Sequence, residues 1–170
     1  MSGTTNVLLV GTGGQGVLKA AQILARTAFI CDYDVKQSEV HGMSQRGGSV
    51  ECQVRLGGGV ASPLIPSGEA DYVVALTEDE GRRAEHHLRP GGTFLAPYAQ
   101  LRRELPSLRS LNVAMLGALS VRLSFPAVTW RRALRQLLPE STHPVNLEAF
   151  ALGRQRAELC ARRNERTTEP

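Results

Sequence analysis

Asn6-Val7-Leu8-Leu9-Val10-Gly11-Thr12-Gly13-Gly14-Gln15-Gly16-Val17-Leu18-Lys19-Ala20-Ala21-Gln22-Ile23-Leu24 is the stretch that decides the fold. Asn6 to Val10 is a short apolar run, the pattern of a strand covered on both faces in a parallel sheet. A glycine-rich turn follows directly. Val17, Leu18, Ala20, Ala21, Ile23, Leu24 and Ala28 then recur at helical spacing, with Ala20 and Ala21 small enough for the helix to lie close on the sheet. Gly11-x-Gly13-x-x-Gly16 therefore sits between a strand and a helix, the setting that gives this pattern meaning. The first glycine permits a tight turn and the second lets an anion approach the backbone. The third lets helix pack on strand, and the free N–H groups of the helix N-terminus face the anion. A bound NAD or FAD would also need an acid at the end of the second strand, about 20 residues on. Glu39 is the nearest candidate, and it falls in a loop. An autonomous dinucleotide-binding protein and a turn kept for packing both remain open at this point.

Working outward, Asp34-Val35-Lys36-Gln37 begins a second strand, and Ser38 to Gly48 reads as a polar loop. Val50, Cys52, Val54 and Leu56 alternate strictly with Ser49, Glu51, Gln53 and Arg55, which implies a strand with one wet face. Gly57-Gly58-Gly59 can turn that strand into Val60–Ile65 as a hairpin, at the sheet edge or antiparallel to the first strand. Asp71 to Leu76 reads as another buried strand. Thr77 is positioned to cap a helix whose first turn holds Glu78, Asp79 and Glu80, where the helix dipole favours carboxylates. Arg82, Arg83, His86, His87 and Arg89 complete it, and Pro90-Gly91-Gly92 stops it. Thr93 to Ala96 is a further strand, and residues 97–111 read as an irregular connection. Helices are expected over Asn112–Leu123, Trp130–Leu138 and Pro144–Arg163. The sum is an α/β, Rossmann-like three-layer domain with a mixed, mainly parallel sheet and a helical C-terminal region. A single domain is expected over 1–163, with a disordered tail at 164–170.

Glu39-Val40-His41-Gly42-Met43-Ser44-Gln45-Arg46-Gly47-Gly48 is the second feature with chemical content. It follows the second strand, where open α/β sheets present their functional loops. Arg46 can clamp a carboxylate or phosphate at two points, Gln45 and Ser44 can orient it, and His41 titrates near neutrality. The same polar groups would also serve an interface loop. His86 and His87 adjoin on a helix, cannot share a face, and do not make a metal site. Cys31 and Cys52 read as small packing residues rather than nucleophiles. Ser44 lacks a nucleophile-elbow context, and no P-loop occurs.

The composition excludes several classes. At 170 residues the chain is the size of one domain, and 42% apolar with 21% charged residues is ordinary for a globular protein. Three cysteines without a C-x-x-C cannot build a zinc knuckle or an iron–sulfur cluster. No secretory signal and no membrane span is read, so a cytoplasmic protein with reduced thiols is expected. Residues 1–80 carry a net charge of −4 and residues 81–170 carry +8, and arginine outnumbers lysine by 18 to 2. Low aromatic content, 5%, and the absence of a recognition motif argue against a nucleic-acid partner.

Gly11-Thr12-Gly13-Gly14-Gln15-Gly16-Val17 with Ala20-Ala21-x-Ile23-Leu24-Ala25 resembles the gamma-subunit domain of the 2-oxoacid:ferredoxin oxidoreductases. Tyr33 to Val50, spanning the Glu39–Gly48 loop, and Ser62 to Asp71 are similar to the beta subunit of indolepyruvate:ferredoxin oxidoreductase. Weaker similarity continues at Leu88-Arg89-Pro90-Gly91-Gly92, at Asn112 with Leu116-Gly117-Ala118, and at Asn146 with Ala149-Phe150 and Gly153. The resemblance implies a subunit without thiamine of its own. In that family a 2-oxoacid is oxidatively decarboxylated to acyl-CoA and CO2, and electrons pass singly to ferredoxin. Thiamine diphosphate, magnesium and the iron–sulfur clusters reside in companion subunits or fused domains, coenzyme A takes the acyl group, and this chain alone is expected to bind no cofactor. The chain lacks the Gly-Asp-Gly of the thiamine–magnesium motif. Matching positions are Gly11, Gly13, Gly14, Gln15, Gly16, Glu39, His41, Gly42, Met43, Ser44, Gln45, Arg46, Gly47 and Gly48, none with an agreed catalytic role. The resemblance favours an aryl pyruvate such as indolepyruvate, with pyruvate, 2-oxoglutarate and branched-chain oxoacids as alternatives.

Overall fold

A computed structural model describes residues 3–41, 47–97 and 99–167 of the chain. Five strands form one sheet in the order β2-β3-β1-β4-β5: β1 (Thr5–Thr12), β2 (Asp34–His41), β3 (Ser49–Gly57), β4 (Ala70–Ala75) and β5 (Leu88–Leu95). β1 runs parallel to β4, and β4 to β5, whereas β3 is antiparallel to both β1 and β2. The sheet is mixed, as its patterning predicts: four strands run in one direction and β3 against them, which gives two parallel and two antiparallel pairings.

Two layers of helix cover it. On one face lie α1 (Val17–Ile30), α4 (Leu111–Ser120), α5 (Ala127–Leu137) and α6 (His143–Thr167), which share a core with Val7, Leu9, Cys52, Val54 and Val74. Ala20 and Ala21 of α1 are fully buried in that core, so the helix approaches the strands closely. Trp130 and Phe150 are also buried, each worth about 1.5–3 kcal/mol in apolar burial. On the other face α2 (Glu78–Ala84) and residues 58–69 enclose a smaller core of Leu8, Val10, Ile65, Val73, Ala75 and Ala84. Leu8 and Val10 face one way and Val7 and Leu9 the other, which is why β1 shows an unbroken apolar run.

The hairpin partner of β3 is β2, not residues 60–65, and β3 lies inside the sheet. The 58–69 segment forms no ladder because side chains satisfy its backbone instead. Arg55 donates to the carbonyls of Ser62 and Leu64, Gln53 accepts from the N–H of Ile65, and Asp34 accepts from that of Val60. That segment also covers the face of β3 expected to be wet, so Gln53 is buried. β2 continues through His41, four residues into the expected loop, because Ser38, Glu39, Val40 and His41 pair with Gln53, Cys52, Glu51 and Val50.

The helix predicted to reach Arg89 ends earlier. α2 stops at Ala84, a short 3-10 turn covers Glu85–His87, and Pro90-Gly91-Gly92 lies within β5. Proline lacks the N–H that a central strand would need, and β5 is an edge strand where that donor is dispensable. Residues 97–111 are not wholly irregular: α3 (Ala99–Glu104) and a 3-10 turn at Leu108–Ser110 occupy most of them.

The C-terminal helices pack by omission of side chains. Gly117 of α4 faces Phe150, Gly153 of α6 faces Ala114, and a methyl on either glycine would overlap a backbone carbonyl of the other helix. Arg156 of α6 makes a two-point bond to Glu104 of α3, and Arg154 donates to Ser120. α6 extends through Thr167, four residues past the boundary expected at 163.

Candidate functional site

β1 sends its chain through α1 toward β2, while its parallel neighbour β4 sends the chain through α2 toward β5. The connections thus diverge between β1 and β4, on opposite faces of the sheet. Such a switch point opens a crevice at the carboxyl ends of the strands, and the glycine turn stands in it.

Gly16 caps α1 with φ 77°, a left-handed conformation that favours glycine. The first bond of α1 runs from the N–H of Ala20 to the Gly16 carbonyl, so the N–H groups of Val17, Leu18 and Lys19 precede the intrahelical ladder. No carboxylate stands in that first turn. Gln15 folds back over the turn, its Oε1 accepting from the N–H of Thr12 at 2.9 Å. Asn112, at the start of α4, is 6% exposed and donates from Nδ2 to the Gly16 carbonyl at 3.1 Å. Its Oδ1 accepts from the N–H of Val113. The signals of this in the sequence are an asparagine opening a mostly apolar helix and its place among the family-like positions with Leu116-Gly117-Ala118.

The second motif arrives at the same place. β2 leaves the sheet at His41, β3 re-enters at Ser49, and the N–H of Gly13 donates to the Gly48 carbonyl at 2.9 Å. Gly47 has φ 70°. Glu39 is exposed and belongs to the strand rather than the loop, paired across the ladder with Cys52. Gly42, Met43, Ser44, Gln45 and Arg46 lie outside the described residues, as does the side chain of His41.

A cleft of about 440 Å³ opens in front of the glycine turn. Gly14, Gln15, Gly16 and Asn112 line it together with Arg102, Leu108 and Arg109. Arg102 is tethered by a 2.9 Å bond from Nη2 to the Leu76 carbonyl, at the carboxyl end of β4. Two guanidinium groups and a helix N-terminus thus border one cleft, a combination that favours a negatively charged group. Neither arginine is legible in the sequence as part of a site, because the segment that carries them lacks a recognisable pattern.

On the other face of the sheet, Glu80 in the first turn of α2 is 6% exposed. It accepts from the Ser49 hydroxyl and from Arg83, so its charge is compensated where it is buried. Thr77 takes the cap position of α2 in extended conformation but makes no side-chain cap bond.

The other candidates separate. His86 and His87 do meet, with ring centroids 4.1 Å apart, on the 3-10 turn that follows α2. Among the described residues no group of three or more His, Cys, Asp or Glu is placed to hold a metal ion. Cys31 is half-buried, Cys52 buried and Cys160 exposed. Burial, and then the carboxylates of Glu39 and Glu51, push the Cys52 thiol up to about 12, which suits packing and not nucleophilic attack. These scattered thiols do not fit an iron–sulfur cluster. No helix among the described residues is long and apolar enough to cross a membrane.

The open α/β sheet with its glycine turn at the switch point defines the class, and comparison with known proteins places the chain within it. Residues 6–106 match the family model described as pyruvate ferredoxin/flavodoxin oxidoreductase, and the chain belongs to that family. It is 31% identical over 188 aligned positions to the indolepyruvate oxidoreductase subunit IorB of Thermococcus kodakarensis, covering 87% of this chain and 93% of the relative. It is 25% identical to the 2-oxoglutarate synthase subunit KorC of Methanocaldococcus jannaschii, over 86% of this chain and 90% of that protein. The fold is that of the gamma subunit of a keto/oxoacid ferredoxin oxidoreductase from Geobacter sulfurreducens, with TM-score 0.75 and 24% identity over 91% of this chain and 99% of that one.

Proposed function

We propose that the chain is the subunit without thiamine of a 2-oxoacid:ferredoxin oxidoreductase. In the assembled enzyme an aryl pyruvate such as indolepyruvate is oxidatively decarboxylated to acyl-CoA and CO2 while ferredoxin is reduced. The observation that carries this reading is the junction of two family-matching motifs by the Gly13–Gly48 hydrogen bond, in front of a cleft bordered by Arg102 and Arg109. A companion subunit supplies thiamine diphosphate, magnesium and the iron–sulfur clusters. This chain supplies a rigid rim, with residues 39–48 turned toward the companion's active-site mouth. Arg46 or Gln45 assists there in placing the oxoacid or coenzyme A, and no residue of this chain is assigned a catalytic role. The single domain works in the cytoplasm, inactive on its own.

The aryl substrate is favoured by the 31% identity to the relative named for indolepyruvate, against 25% to the one named for 2-oxoglutarate. Arg46→Ala in the reconstituted complex tests the placement role. The expected outcome is an intact assembly whose KM for oxoacid or coenzyme A rises about tenfold, the loss of one positioning contact. Unchanged assembly with unchanged kinetics for both ligands removes the role. Assay of the wild-type complex with indolepyruvate, pyruvate, 2-oxoglutarate and branched-chain oxoacids settles the substrate.

A further inference from the structure

α1 and α5 pack side by side, and between them they carry Lys19, Arg26, Arg131, Arg132 and Arg135 but no carboxylate. α5 buries Thr129, Trp130, Ala133 and Leu134 and presents Val128, Arg131, Arg132 and Arg135 to solvent. These four stand at i, i+3, i+4 and i+7, so they form one stripe along the helix. Among the described residues none of the three arginines is ion-paired. Arg26 spans the two helices, donating from Nε to Gln136 at 2.8 Å, with its guanidinium 5.4 Å from the centroid of the Phe29 ring. Phe29 and Val128 are 62% and 70% exposed. The surface is thus a cluster of guanidiniums with no carboxylate partner among the described residues, flanked by two exposed apolar side chains.

We infer that this α1/α5 face docks a carboxylate-rich surface of a companion subunit, at an interface separate from the 39–48 rim. The inference rests on the reading that the chain works in an assembly. Three considerations select an acidic protein as the occupant. Unpaired guanidiniums with no carboxylate on either helix call for anionic partners, and carboxylates meet them in two-point geometry. Exposed aromatic and aliphatic side chains beside arginines are the composition of protein interface centres. Arg26 is already held by Gln136, so less freedom is lost on docking. A duplex nucleic acid would draw on few phosphate contacts here and would leave Phe29 and Val128 unused.

The test measures association of the separately purified chain and companion subunit by biolayer interferometry at 50 and 500 mM KCl, concentrations on the order of those that separate weak from strong screening. The wild-type affinity is expected to fall about tenfold or more with salt. Arg131→Glu/Arg132→Glu/Arg135→Glu is expected to weaken binding about 100-fold, chiefly through the association rate. Phe29→Ser/Val128→Ser should speed dissociation about tenfold, and Arg82→Glu, an exposed charge on α2, should change little. Far-UV circular dichroism verifies folding, and the triple glutamine variant replaces the charge reversal if that one misfolds. Unchanged affinity in a folded triple variant overturns this surface while leaving the assembly reading standing, and wild-type chain that does not associate at all overturns both. Salt-sensitive binding of a 30-bp duplex, about the span of three helical turns, that the triple variant loses while subunit affinity is unchanged also overturns it. Complex assembled at saturating concentration from the triple variant is expected to turn over oxoacid at the wild-type rate, which separates docking from placement.

Discussion

The N–H of Gly13 donates to the carbonyl of Gly48 at 2.9 Å, joining two segments 35 positions apart in the chain. One belongs to the turn between β1 and α1, the other to the return from β2 into β3. Neither is long enough to define a site alone. Brought together at the carboxyl ends of the strands, they adjoin the cleft that Gly14, Gln15 and Gly16 line together with Arg102 and Arg109.

Asn112 is the latch that holds α4 against the start of α1. Asn112→Ala removes the donor to the Gly16 carbonyl and the acceptor for the Val113 N–H in a buried setting. The expected loss is about 1–3 kcal/mol, read from urea unfolding. Unchanged stability would mean that water replaces both bonds and that the latch is dispensable.

Gly153 sits where α6 crosses α4, with the Ala114 carbonyl in the space a Cβ would fill. Gly153→Ala must push the helices apart and is expected to cost on the order of 3 kcal/mol despite its better helix propensity. A rise in the unfolding midpoint would contradict this crossing.

The thiols should differ sharply in reactivity. Cys160 is exposed and is expected to react with a disulfide reagent in the folded protein, whereas Cys52 should react only on unfolding. The Cys52 thiol lies above its ordinary 9.0, at about 12, so folding holds a proton that the unfolded chain releases. The associated stability is present below pH 9.0 and is lost as pH rises toward 12. Thermal melts of Cys52→Ala across this range should show less alkaline loss than wild type.

Glu104 gives the opposite sign. The hydrogen bond from Arg156, opposed by partial desolvation and aided by Gln100, holds its carboxyl below the ordinary 4.5. Stability from this pair is present above 4.5 and is lost as pH falls through the lowered value. Arg156→Gln should remove that part of the acid sensitivity, seen as a smaller difference between unfolding midpoints at pH about 6 and about 3, on either side of the carboxylate range.

Much of the architecture is legible because it depends on local patterning. The apolar run 6–10, the glycine turn and the face of α1 each announce their element, and the strict alternation of β3 announces a strand. What alternation does not carry is a partner. β3 pairs with β2 and β1 because the side chains of Asp34, Gln53 and Arg55 claim the backbone of 58–69, and that competition is decided in three dimensions. Pro90-Gly91-Gly92 reads as a helix stop by local chemistry and becomes strand because β5 lies at an edge. The cleft is half legible: its glycine wall is a motif and Asn112 opens an expected helix, whereas Arg102 and Arg109 reach it from a segment with no pattern of its own.

By itself the sequence determined the class of fold, the two glycine-containing motifs, and the lack of a thiol set for a cluster, since these depend on residue type, spacing and periodicity. Tertiary structure alone decided that Gly13 meets Gly48, that two distant arginines border the turn, and that α1 and α5 pool their positive charges on one face. Such contacts arise when the sheet order brings separate loops to one edge and helices to one layer, and spacing along the chain holds no record of that order.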